Sequence, residues 1–356
     1  MILMATCTLG LEGALSRELK SMGYKIMDSL SGKVLFEGDI EDIPRLNIWL
    51  RTAERLIIVL GIGRVETFDE LFDFVESLEW EEFIEKGGKF PVVKVKSVRS
   101  KLFSERTIQR VVKRAVASRL ERFHGTTFEK GALYPIHVYL RNDELIIGID
   151  TTGFEGLHKR GYRLKYSKAP LRETIAASML VLSRYDGSSP LLDPFCGSGT
   201  IAIEAGLIAK NIAPGLIRNF VSESWKIVRG WKRIRKEAIG SIVESKSLIV
   251  CSDVDEKILK VAEENAKRAS VDIDFIVSDF RDLKLDLGFG KIVTNPPYGK
   301  RLNFNLRDLK VLFDRFNGWE IHVLSPVSLD KIVGKRAKKK TAFFNSGIKV
   351  IFHQYF

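Results

Sequence analysis

Apolar residues recur at different spacings along the chain, and the change of spacing divides it into two parts. Up to about residue 155, short apolar strands and amphipathic helices follow one another in a mixed order. Residues 12–22, for example, carry Leu15, Leu19 and Met22 on one helical face. The first 60 residues predict the order strand, helix, strand, helix, strand, which indicates a small α/β unit.

Residues 61–155 predict a second mixed unit. Thr67 precedes a helical pattern, and residues 91–98 alternate Lys with Val, as in a strand that has one buried face. The remaining elements are a helix over residues 105–122 and two strands over residues 136–140 and 145–150. We expect the two N-terminal units to be of the α+β class.

From about residue 165, strands and helices alternate, which is typical of a parallel, doubly wound sheet covered by helices. The predicted strands are residues 191–192, 248–251, 275–277, 292–294 and 321–324, and the predicted helices are residues 171–182, 200–210 and 256–269. A hairpin with Asn345, Ser346 and Gly347 at its turn ends the chain. This part is therefore predicted to be an α/β domain with a Rossmann-type sheet.

A long connection, residues 211–246, separates the first two strands of this sheet. Connections in open α/β sheets are normally short. This one contains Trp225 and Trp231 together with several basic residues. It is either a lid or wall of the ligand site or a structural appendage, and the sequence favours neither.

The segment Asp-Pro-Phe-Cys-Gly-Ser-Gly-Thr, residues 193–200, joins the first strand of this sheet to a helix. Its glycines let the backbone turn tightly and approach a ligand, and the free N–H groups of the new helix face the crevice beyond the strand. Doubly wound folds bind nucleotide-like cofactors at this position. The predicted cofactor-binding residues of the loop are Asp193, Pro194, Gly197, Gly199 and Thr200.

Residues 197–202 also match the GxGxxA pattern of dinucleotide-binding proteins, so an oxidoreductase has to be considered. That fingerprint requires an acidic residue about 20 positions further on, whereas Asp253, at the next strand end, is 54 residues beyond Gly199. Asp193 also argues against a pyrophosphate, because a carboxylate would repel it. The same carboxylate suits the cationic methionine end of S-adenosylmethionine.

Carboxylates follow two further strands of the sheet. We expect Asp253 to accept hydrogen bonds from the ribose hydroxyls and Asp255 to cap the next helix, although the two could exchange roles. Asp279 follows the third strand, where it can accept a hydrogen bond from the adenine amino group or cap the following turn. Asp253 and Asp279 are therefore predicted cofactor-binding residues.

Asn-Pro-Pro-Tyr, residues 295–298, follows the fourth strand and is the most specific motif in the chain. The prolines stiffen the turn and remove backbone donors, so the groups that face a ligand are acceptors: the Asn295 side-chain oxygen and the Pro296 carbonyl. Tyr298 adds an aromatic face on which a base can stack. The predicted catalytic residues are Asn295, Pro296, Pro297 and Tyr298, and Asn295 is also predicted to line the cofactor site.

These acceptors suit an exocyclic base amine, which is a poor nucleophile because its lone pair is delocalised. Two acceptors on its hydrogens favour pyramidalisation and stabilise the developing charge. No cysteine lies near Asn295, which argues against methyltransferases that attack pyrimidine carbon through a cysteine. Cys7, Cys196 and Cys251 lack metal-ligand spacing, so we expect three reduced thiols and no metal site, with Cys196 a small packing residue.

The formal net charge of +12 indicates a polyanionic partner, although ordinary solubility also explains such a charge. The distribution favours a partner, because the stretch from Pro91 to His124 holds ten Lys and Arg against two Glu and so carries +8. No apolar run is long enough to span a membrane, and the N-terminus lacks the basic start of a signal peptide. A cytoplasmic protein is expected.

These motifs resemble those of RNA guanine-N2 methyltransferases that carry an N-terminal THUMP domain. Residues 193–200 and 295–301 resemble the catalytic half, and residues 90–104, 156–163 and 169–174 resemble the THUMP domain, the linker and the first catalytic helix. The resemblance implies a ferredoxin-like domain over residues 1–60, a THUMP domain over 61–155, a linker over 156–168 and a Rossmann-fold class I methyltransferase domain over 169–356.

The resemblance also implies S-adenosylmethionine as the cofactor, RNA as the partner and guanine N2 as the target, in 23S ribosomal RNA rather than tRNA. THUMP domains of the family recognise RNA structure, and that role falls here on the basic residues Lys94, Lys96, Arg99, Lys101, Arg110, Lys113 and Arg114. A catalytically inactive RNA-binding protein is the alternative, and the intact motifs argue against it. The oligomeric state stays open, with a monomer as the expectation.

Overall fold

The computed structural model describes residues 1–163, 171–245, 247–297 and 305–356. The N-terminal half consists of seven strands and four helices over the described residues. They are β1 (Ile2–Thr6), α1 (Glu12–Ser21), β2 (Ile26–Leu30), β3 (Lys33–Glu37), α2 (Asp42–Trp49), β4 (Arg55–Arg64), α3 (Phe68–Ser77), β5 (Val92–Val98), α4 (Glu105–His124), β6 (Ile136–Arg141) and β7 (Glu144–Asp150).

One continuous sheet joins the two N-terminal units. Its strand order is β2-β3-β1-β4-β7-β6-β5, and all neighbours are antiparallel except β5 and β6. The first six elements form the βαββαβ unit of a ferredoxin-like fold. The junction is the β4–β7 pair, and a single hydrophobic core runs under both units. The N-terminal half is therefore one rigid body.

The C-terminal half forms a second seven-stranded sheet. Its elements are α5 (Glu173–Leu182), β8 (Leu191–Asp193), α6 (Thr200–Ala209), α7 (Trp231–Gly240), β9 (Ile249–Asp253), α8 (Glu256–Ala269), β10 (Asp274–Val277), β11 (Lys291–Thr294), α9 (Lys310–Arg315), β12 (Glu320–Ser325), α10 (Asp330–Val333), β13 (Lys339–Asn345) and β14 (Ile348–Tyr355). The order is β10-β9-β8-β11-β12-β14-β13, with β10 to β12 parallel and the last two strands antiparallel. This topology confirms the predicted Rossmann-type α/β domain after an α+β half.

Most predicted elements are confirmed, and the missed ones have weak patterns. β2 is an edge strand whose middle residues are all exposed, so it lacks the alternation that marks a strand. The predicted alternation of β5 is interrupted at Val93, which is exposed where the register with β6 shifts. The terminal hairpin turns as predicted, because Ser346 and Gly347 both have positive φ, as a two-residue turn requires.

The described part of the insertion, residues 211–245, packs into the N-terminal hydrophobic core. Trp225 stacks on Tyr134 with 4.7 Å between ring centroids, and its indole N–H donates to the Leu133 carbonyl. Phe220 stacks in turn on Trp231, the first residue of α7. The indole and ring contacts therefore join the second half to the first, as expected of a structural role, and the alternative of a lid or ligand wall stays open.

Buried polar contacts also join the halves. The guanidinium of Arg160 is buried, lies 3.3 Å from Glu204 on α6, and donates to the Arg51 carbonyl. A second set of contacts centres on Glu54, which accepts a hydrogen bond from the Thr174 hydroxyl at 2.5 Å and pairs with His158 at 2.7 Å. An unpaired buried charge is costly, so these pairs fix how the catalytic half sits on the N-terminal half.

Two kinds of feature are absent from the described residues. Within these ranges no helix has the length and apolarity needed to cross a membrane. In the same part of the chain, no three His, Cys, Asp or Glu side chains are grouped closely enough to hold a metal ion.

Candidate active site

Three chain segments that the sequence singled out meet at one edge of the parallel sheet. Strands β9, β8 and β11 are neighbours and run in the same direction. Asp193 ends β8, Asp253 ends β9, and Asn295 follows β11. The carboxyl ends of parallel strands form the ligand crevice of this fold class. The structure therefore brings the loop carboxylates and the Asn-Pro-Pro segment together.

The loop after β8 has the backbone conformation that its glycines predict. Gly197 and Gly199 have φ values of 52° and 82°, in the left-handed region where a side chain is strained. A Cβ at Gly199 would lie 3.1 Å from the Cβ of Ala262 on α8, whereas nothing lies within 4 Å of a Cβ at Gly197. Gly199 therefore allows close packing, and Gly197 leaves open space beside the loop.

Asp193 lies under this loop with only 1% of its surface exposed. Its carboxylate accepts a hydrogen bond from the Thr294 hydroxyl at 2.7 Å and from the backbone N–H of Phe195 at 3.3 Å. Burial raises the pKa of Asp193 to about 7, against these hydrogen bonds, which lower it. A cation placed beside Asp193 would stabilise its ionised form.

Asp253 and Asp255 have separate tasks. Asp253 accepts the backbone N–H of Gly197 at 2.9 Å and so ties the loop to the end of β9. Asp255 accepts from the backbone N–H groups of Lys257 and Ile258 and is the N-cap of α8, as predicted. Asp253 also accepts the backbone N–H of Asp255 at 3.1 Å through its other oxygen, so both carboxylates already hold backbone groups, and the ribose role of Asp253 stays a prediction.

Asp279 is already paired in this structure. One carboxylate oxygen accepts from the backbone N–H and Nε of Arg281, and the other accepts from Nη2 at 2.7 Å. The bond to Arg281 keeps the pKa of Asp279 below its usual range. This geometry matches the alternative of a turn-capping role, and the adenine contact predicted for Asp279 remains a prediction that requires this pair to rearrange.

Asn295 presents an acceptor that no described residue uses. Its side-chain oxygen is buried and has no hydrogen-bond donor among the described residues. Pro296 is buried next to it, and Pro297 is partly exposed. An unsatisfied buried acceptor is costly unless a ligand supplies the donor. Tyr298, the fourth predicted catalytic residue, lies outside the described residues.

Sequence reasoning missed the residues that hold the loop in place. Thr294 fixes Asp193, and the guanidinium of Arg163 donates to the Thr200 hydroxyl at 2.7 Å and to the Leu171 carbonyl at 3.1 Å. Asn265 on α8 donates to the Ser198 carbonyl at 3.2 Å. Only Thr294 carried a signal, since it directly precedes the Asn-Pro-Pro segment.

The expectation of three reduced thiols was wrong for two of them. The structure joins Cys196 in the loop to Cys251 on β9 by a disulfide, with 5.6 Å between their Cα atoms, and leaves Cys7 free. The reason is the parallel pairing of neighbouring strand ends, where the Cys196 N–H donates to the Ser252 carbonyl. Two cysteines 55 residues apart in sequence thereby become neighbours, which their spacing did not reveal.

The predicted RNA-binding residues lie on β5, on the following loop and on α4. Lys101 pairs with Glu66 and Lys113 with Glu129, while Lys96 lies 3.9 Å from Glu105. The other members are exposed and form no ion pair within the described part of the chain: Lys94, Arg99, Arg110 and Arg114. β5 is the outer strand of its sheet, so this surface is open to a large partner.

Comparison with known proteins identifies the chain. Residues 160–346 match the family model of the RMKL-like methyltransferase domain, residues 2–57 that of the RlmL ferredoxin-like domain, and residues 65–150 that of the THUMP domain. The chain is also 39% identical to YpsC of Bacillus subtilis, which is provisionally named an RNA methyltransferase. This match covers 99% of the chain and 95% of YpsC. The chain belongs to the RMKL-like methyltransferases. The predicted family is thereby confirmed.

Two further relatives of this RMKL-like methyltransferase are named for their substrates. One is tRNA (guanine(6)-N2)-methyltransferase of Methanocaldococcus jannaschii, 36% identical over 87% of this chain and 84% of that protein. The other is ribosomal RNA large subunit methyltransferase K/L of Cellvibrio japonicus, 33% identical over 97% of this chain. The chain spans about half of that protein, 49% of its length.

Solved structures match the RMKL-like methyltransferase over the whole chain. The methyltransferase candidate SMU.472, crystallised as a complex with SAH, is 34% identical with a TM-score of 0.91, covering 100% of this chain and 97% of that one. A Listeria monocytogenes protein named as a predicted N6-adenine-specific DNA methylase is 38% identical with a TM-score of 0.91, covering 100% and 96%. The names of these proteins thus agree on methyl transfer and differ on the target.

Proposed function

We propose that this RMKL-like methyltransferase transfers a methyl group from S-adenosylmethionine to the exocyclic N2 of a guanine in RNA, with 23S ribosomal RNA as the leading target. The observation that carries the proposal is the buried side-chain oxygen of Asn295, which has no donor among the described residues. A base amine supplies the N–H group that this acceptor lacks. The acceptor lies at the sheet edge where the predicted cofactor-binding carboxylates end their strands.

The residues at this edge fit S-adenosylmethionine. Asp193 offers a buried carboxylate to the cationic amino group of the methionine end, and Asp253 offers acceptor positions to the ribose hydroxyls. The open space beside Gly197 leaves room for a ligand against the loop. When bound, the cofactor supplies an electrophilic methyl group. The complex of SMU.472 with SAH supports the same choice.

The protein's own contribution to the reaction is to hold and polarise the amine. The Asn295 oxygen accepts one N–H of the amine, and the Pro296 carbonyl is the second acceptor. These bonds strengthen as positive charge develops on nitrogen, so they stabilise the transition state more than the ground state. The Asn295 oxygen and Pro296 are buried, which limits competition from water. The nitrogen–methyl bond forms as the sulfonium–methyl bond breaks and SAH leaves, and the extra proton on nitrogen then passes to solvent, so the site needs no strong base before transfer.

The THUMP domain and the exposed basic residues of β5 and α4 support RNA as the substrate. The K/L relative supports ribosomal RNA, and it shares nearly the whole of this chain. One observation favours a second candidate, tRNA guanine N2, because the archaeal tRNA enzyme matches over most of both chains. The name of the Listeria monocytogenes protein raises adenine N6 in DNA, whose amine could also be held by two acceptors.

The test is to methylate defined substrates and identify the product. Purified protein and labelled S-adenosylmethionine are incubated separately with unmodified 23S RNA, a tRNA pool and duplex DNA. The products are digested and analysed as nucleosides by mass spectrometry. We expect N2-methylguanosine from 23S RNA, and far less of it in the same time with Asn295→Ala as the matched control.

The outcomes separate the candidates. N2-methylguanosine confined to tRNA replaces the ribosomal target and keeps the guanine-N2 reaction. N6-methyladenine in DNA, or a methylated pyrimidine carbon, contradicts the proposed reaction. Absence of product from all three substrates, in protein that is stabilised by S-adenosylmethionine, contradicts the proposed substrate class.

A further inference from the structure

A cavity of about 840 Å³ lies where the two halves of the chain meet. Its walls come from α1 and α2 of the ferredoxin-like unit, from the ends of α5 and α6 of the catalytic domain, and from α7 of the insertion. The cavity therefore exists only when all three parts are docked. Its volume is in the range of pockets that bind small molecules and cofactors.

The cavity is separate from the methyl-transfer edge of the sheet. α6 begins at Thr200 beside the cofactor loop, and Ile208, near its other end, lines the cavity. Eight residues of helix correspond to about 12 Å along the axis. α5 likewise ends at the cavity before the chain enters β8 from the opposite edge. Nothing in the proposed reaction uses this pocket.

Four arginines line the cavity, and none forms an ion pair among the described residues: Arg17, Arg45, Arg51 and Arg184. Arg45 and Arg184 are exposed. Arg17 and Arg51 each donate one hydrogen bond to a main-chain carbonyl, that of Val181 at 2.8 Å and that of Ile212 at 3.0 Å. Guanidinium groups left without carboxylates are typical of sites that bind phosphate.

The three carboxylates in the lining are already committed elsewhere. Glu18 accepts from two backbone N–H groups and the hydroxyl of Thr52, at 2.5 to 2.9 Å. Asp186 accepts from the backbone and hydroxyl of Ser188. Glu237 pairs with Arg233 at 2.9 Å on its own helix. None of the three therefore forms an ion pair with the four arginines among the described residues, although the charge of Glu18 acts on Arg51 at longer range.

Arg51 supplies a second, independent sign of a missing anion. Its Nη1 is buried and has no acceptor among the described residues. Burial lowers the pKa of this guanidinium, and the neighbouring carboxylates Glu204 and Glu18 only partly compensate. A buried donor without a partner is costly, and Arg51 is one of the residues that line the cavity.

Apart from Ser21, Asn211 and Ser241, the rest of the lining is apolar and partly aromatic. Trp49 and Tyr185 lie in the wall, together with the side chains of Met22, Val181 and Ile208. An inorganic anion alone would leave this surface uncovered. A ligand that carries both a phosphate and a ring system would cover it.

We propose that this cavity binds the phosphate group of a nucleotide, with the arginines around the phosphate and the sugar and base against the apolar wall. The nucleotide belongs either to an RNA strand that also reaches the basic surface of β5 or to a free mononucleotide, and the two share this chemistry. The proposal does not depend on the proposed methyl transfer, because it concerns equilibrium binding at another site.

The test uses the full chain with its cofactor site saturated by SAH, so that probes are kept out of that site. Calorimetric titrations use inorganic phosphate, cytidine 5′-monophosphate, cytidine and a short oligocytidylate. We expect phosphate and cytidine monophosphate to bind and cytidine to bind far more weakly. Arg45→Gln combined with Arg184→Gln should weaken cytidine monophosphate binding by at least about tenfold, because two charged hydrogen bonds are lost.

The matched control removes the same charge outside the cavity. Lys20→Gln combined with Lys236→Gln changes exposed residues of α1 and α7 that do not line the pocket. This control should keep the affinity of the unmodified protein, and melting temperatures should show that both double variants are folded. Cytidine binding as tightly as its monophosphate, an equal loss in the control, or no binding of either phosphate probe overturns the proposal.

The oligocytidylate distinguishes the two sources. If it binds more tightly than the monophosphate and loses affinity in the arginine variant alone, the ligand is an RNA strand. If it binds no more tightly than the monophosphate, the cavity is a site for free nucleotides. Both results require the phosphate-binding pocket to exist.

Discussion

Removal of the Asn295 side chain tests the proposed chemistry most directly. The Asn295 oxygen makes no hydrogen bond to a described residue, so its deletion breaks no hydrogen bond of that atom within the described part of the chain. We therefore expect Asn295→Ala to leave the melting temperature nearly unchanged, or to raise it slightly, because a buried unsatisfied acceptor is removed. Any loss of activity then has to come from the bound substrate.

The expected loss of turnover in Asn295→Ala depends on whether the hydrogen bond from the amine to Asn295 forms in the ground state or strengthens in the transition state. The amine is nearly neutral in the ground state and positively charged in the transition state, so the carbonyl oxygen contributes mainly to kcat. One preorganised hydrogen bond to developing charge contributes about 2.7–4 kcal/mol, or about 10²–10³-fold in rate. The KM for RNA should change by less than about tenfold, since ground-state stacking and phosphate contacts remain.

The assay is single-turnover methylation with saturating S-adenosylmethionine, which separates the chemical step from product release. Asn295→Asp is the informative companion, because it keeps an oxygen acceptor of the same size and should lose less than Asn295→Ala. Cofactor binding by both variants is measured by calorimetry. A folded, cofactor-binding Asn295→Ala enzyme with near-normal turnover would refute amine activation by this residue, and with it the main reason for assigning an exocyclic nitrogen.

Three further predictions follow from the site and the basic surface. Burial raises the pKa of Asp193 to about 7, so its carboxyl is largely protonated at pH 6. The affinity for the cofactor should therefore rise about eightfold between pH 6 and pH 7.5, and it should not change with pH in Asp193→Asn. A pH-independent affinity in the unmodified protein would contradict the proposed role of Asp193. Lys94→Gln combined with Arg99→Gln should weaken RNA binding and reduce the slope of log affinity against log salt concentration by nearly one for each lost phosphate contact. Lys101→Gln should reduce affinity and slope less, because this lysine already pairs with Glu66. Equal losses in the two variants would contradict this difference. Thiol titration of the denatured, unreduced protein should find one reactive thiol, Cys7, and a count of three would contradict the disulfide.

The sequence predicted the parts of the fold that depend on local pattern. Helices with a clear apolar face and strands followed by glycine or proline motifs were found where expected, and Thr67 and Asp255 cap the helices that follow them. The strand-end position of the site was predictable for the same reason, since strand, turn and helix signals lie next to one another along the chain.

Features that depend on contacts distant in sequence were missed. The pairing of Cys196 with Cys251 requires the register of β8 and β9, which no local pattern encodes. The insertion could not be assigned because its aromatic residues pack against Tyr134 and its neighbours in another domain. The ion pair of Asp279 with Arg281, two residues apart, was a local feature that the motif-based assignment overlooked.

The docking of the two halves determines where RNA can lie relative to the acceptors. The first residues of the predicted linker are packed, with Leu157, Arg160 and Tyr162 buried, and Arg160 pairs with Glu204 inside the junction. A basic surface held at a fixed position selects RNA by the distance between its phosphates and the target base, whereas a flexible tether would select only by affinity. Arg160→Met removes the ion-pair partner of the buried Glu204, which then keeps, among the described residues, only a hydrogen bond from Tyr162 and the more distant Arg51, so it should destabilise the protein by about 3 kcal/mol. The double change Arg160→Met with Glu204→Leu should recover most of that stability.

The double variant also tests whether the junction positions RNA. If it does, the folded double variant will bind RNA and cofactor normally and still methylate slowly. Normal turnover would show that the junction serves stability alone.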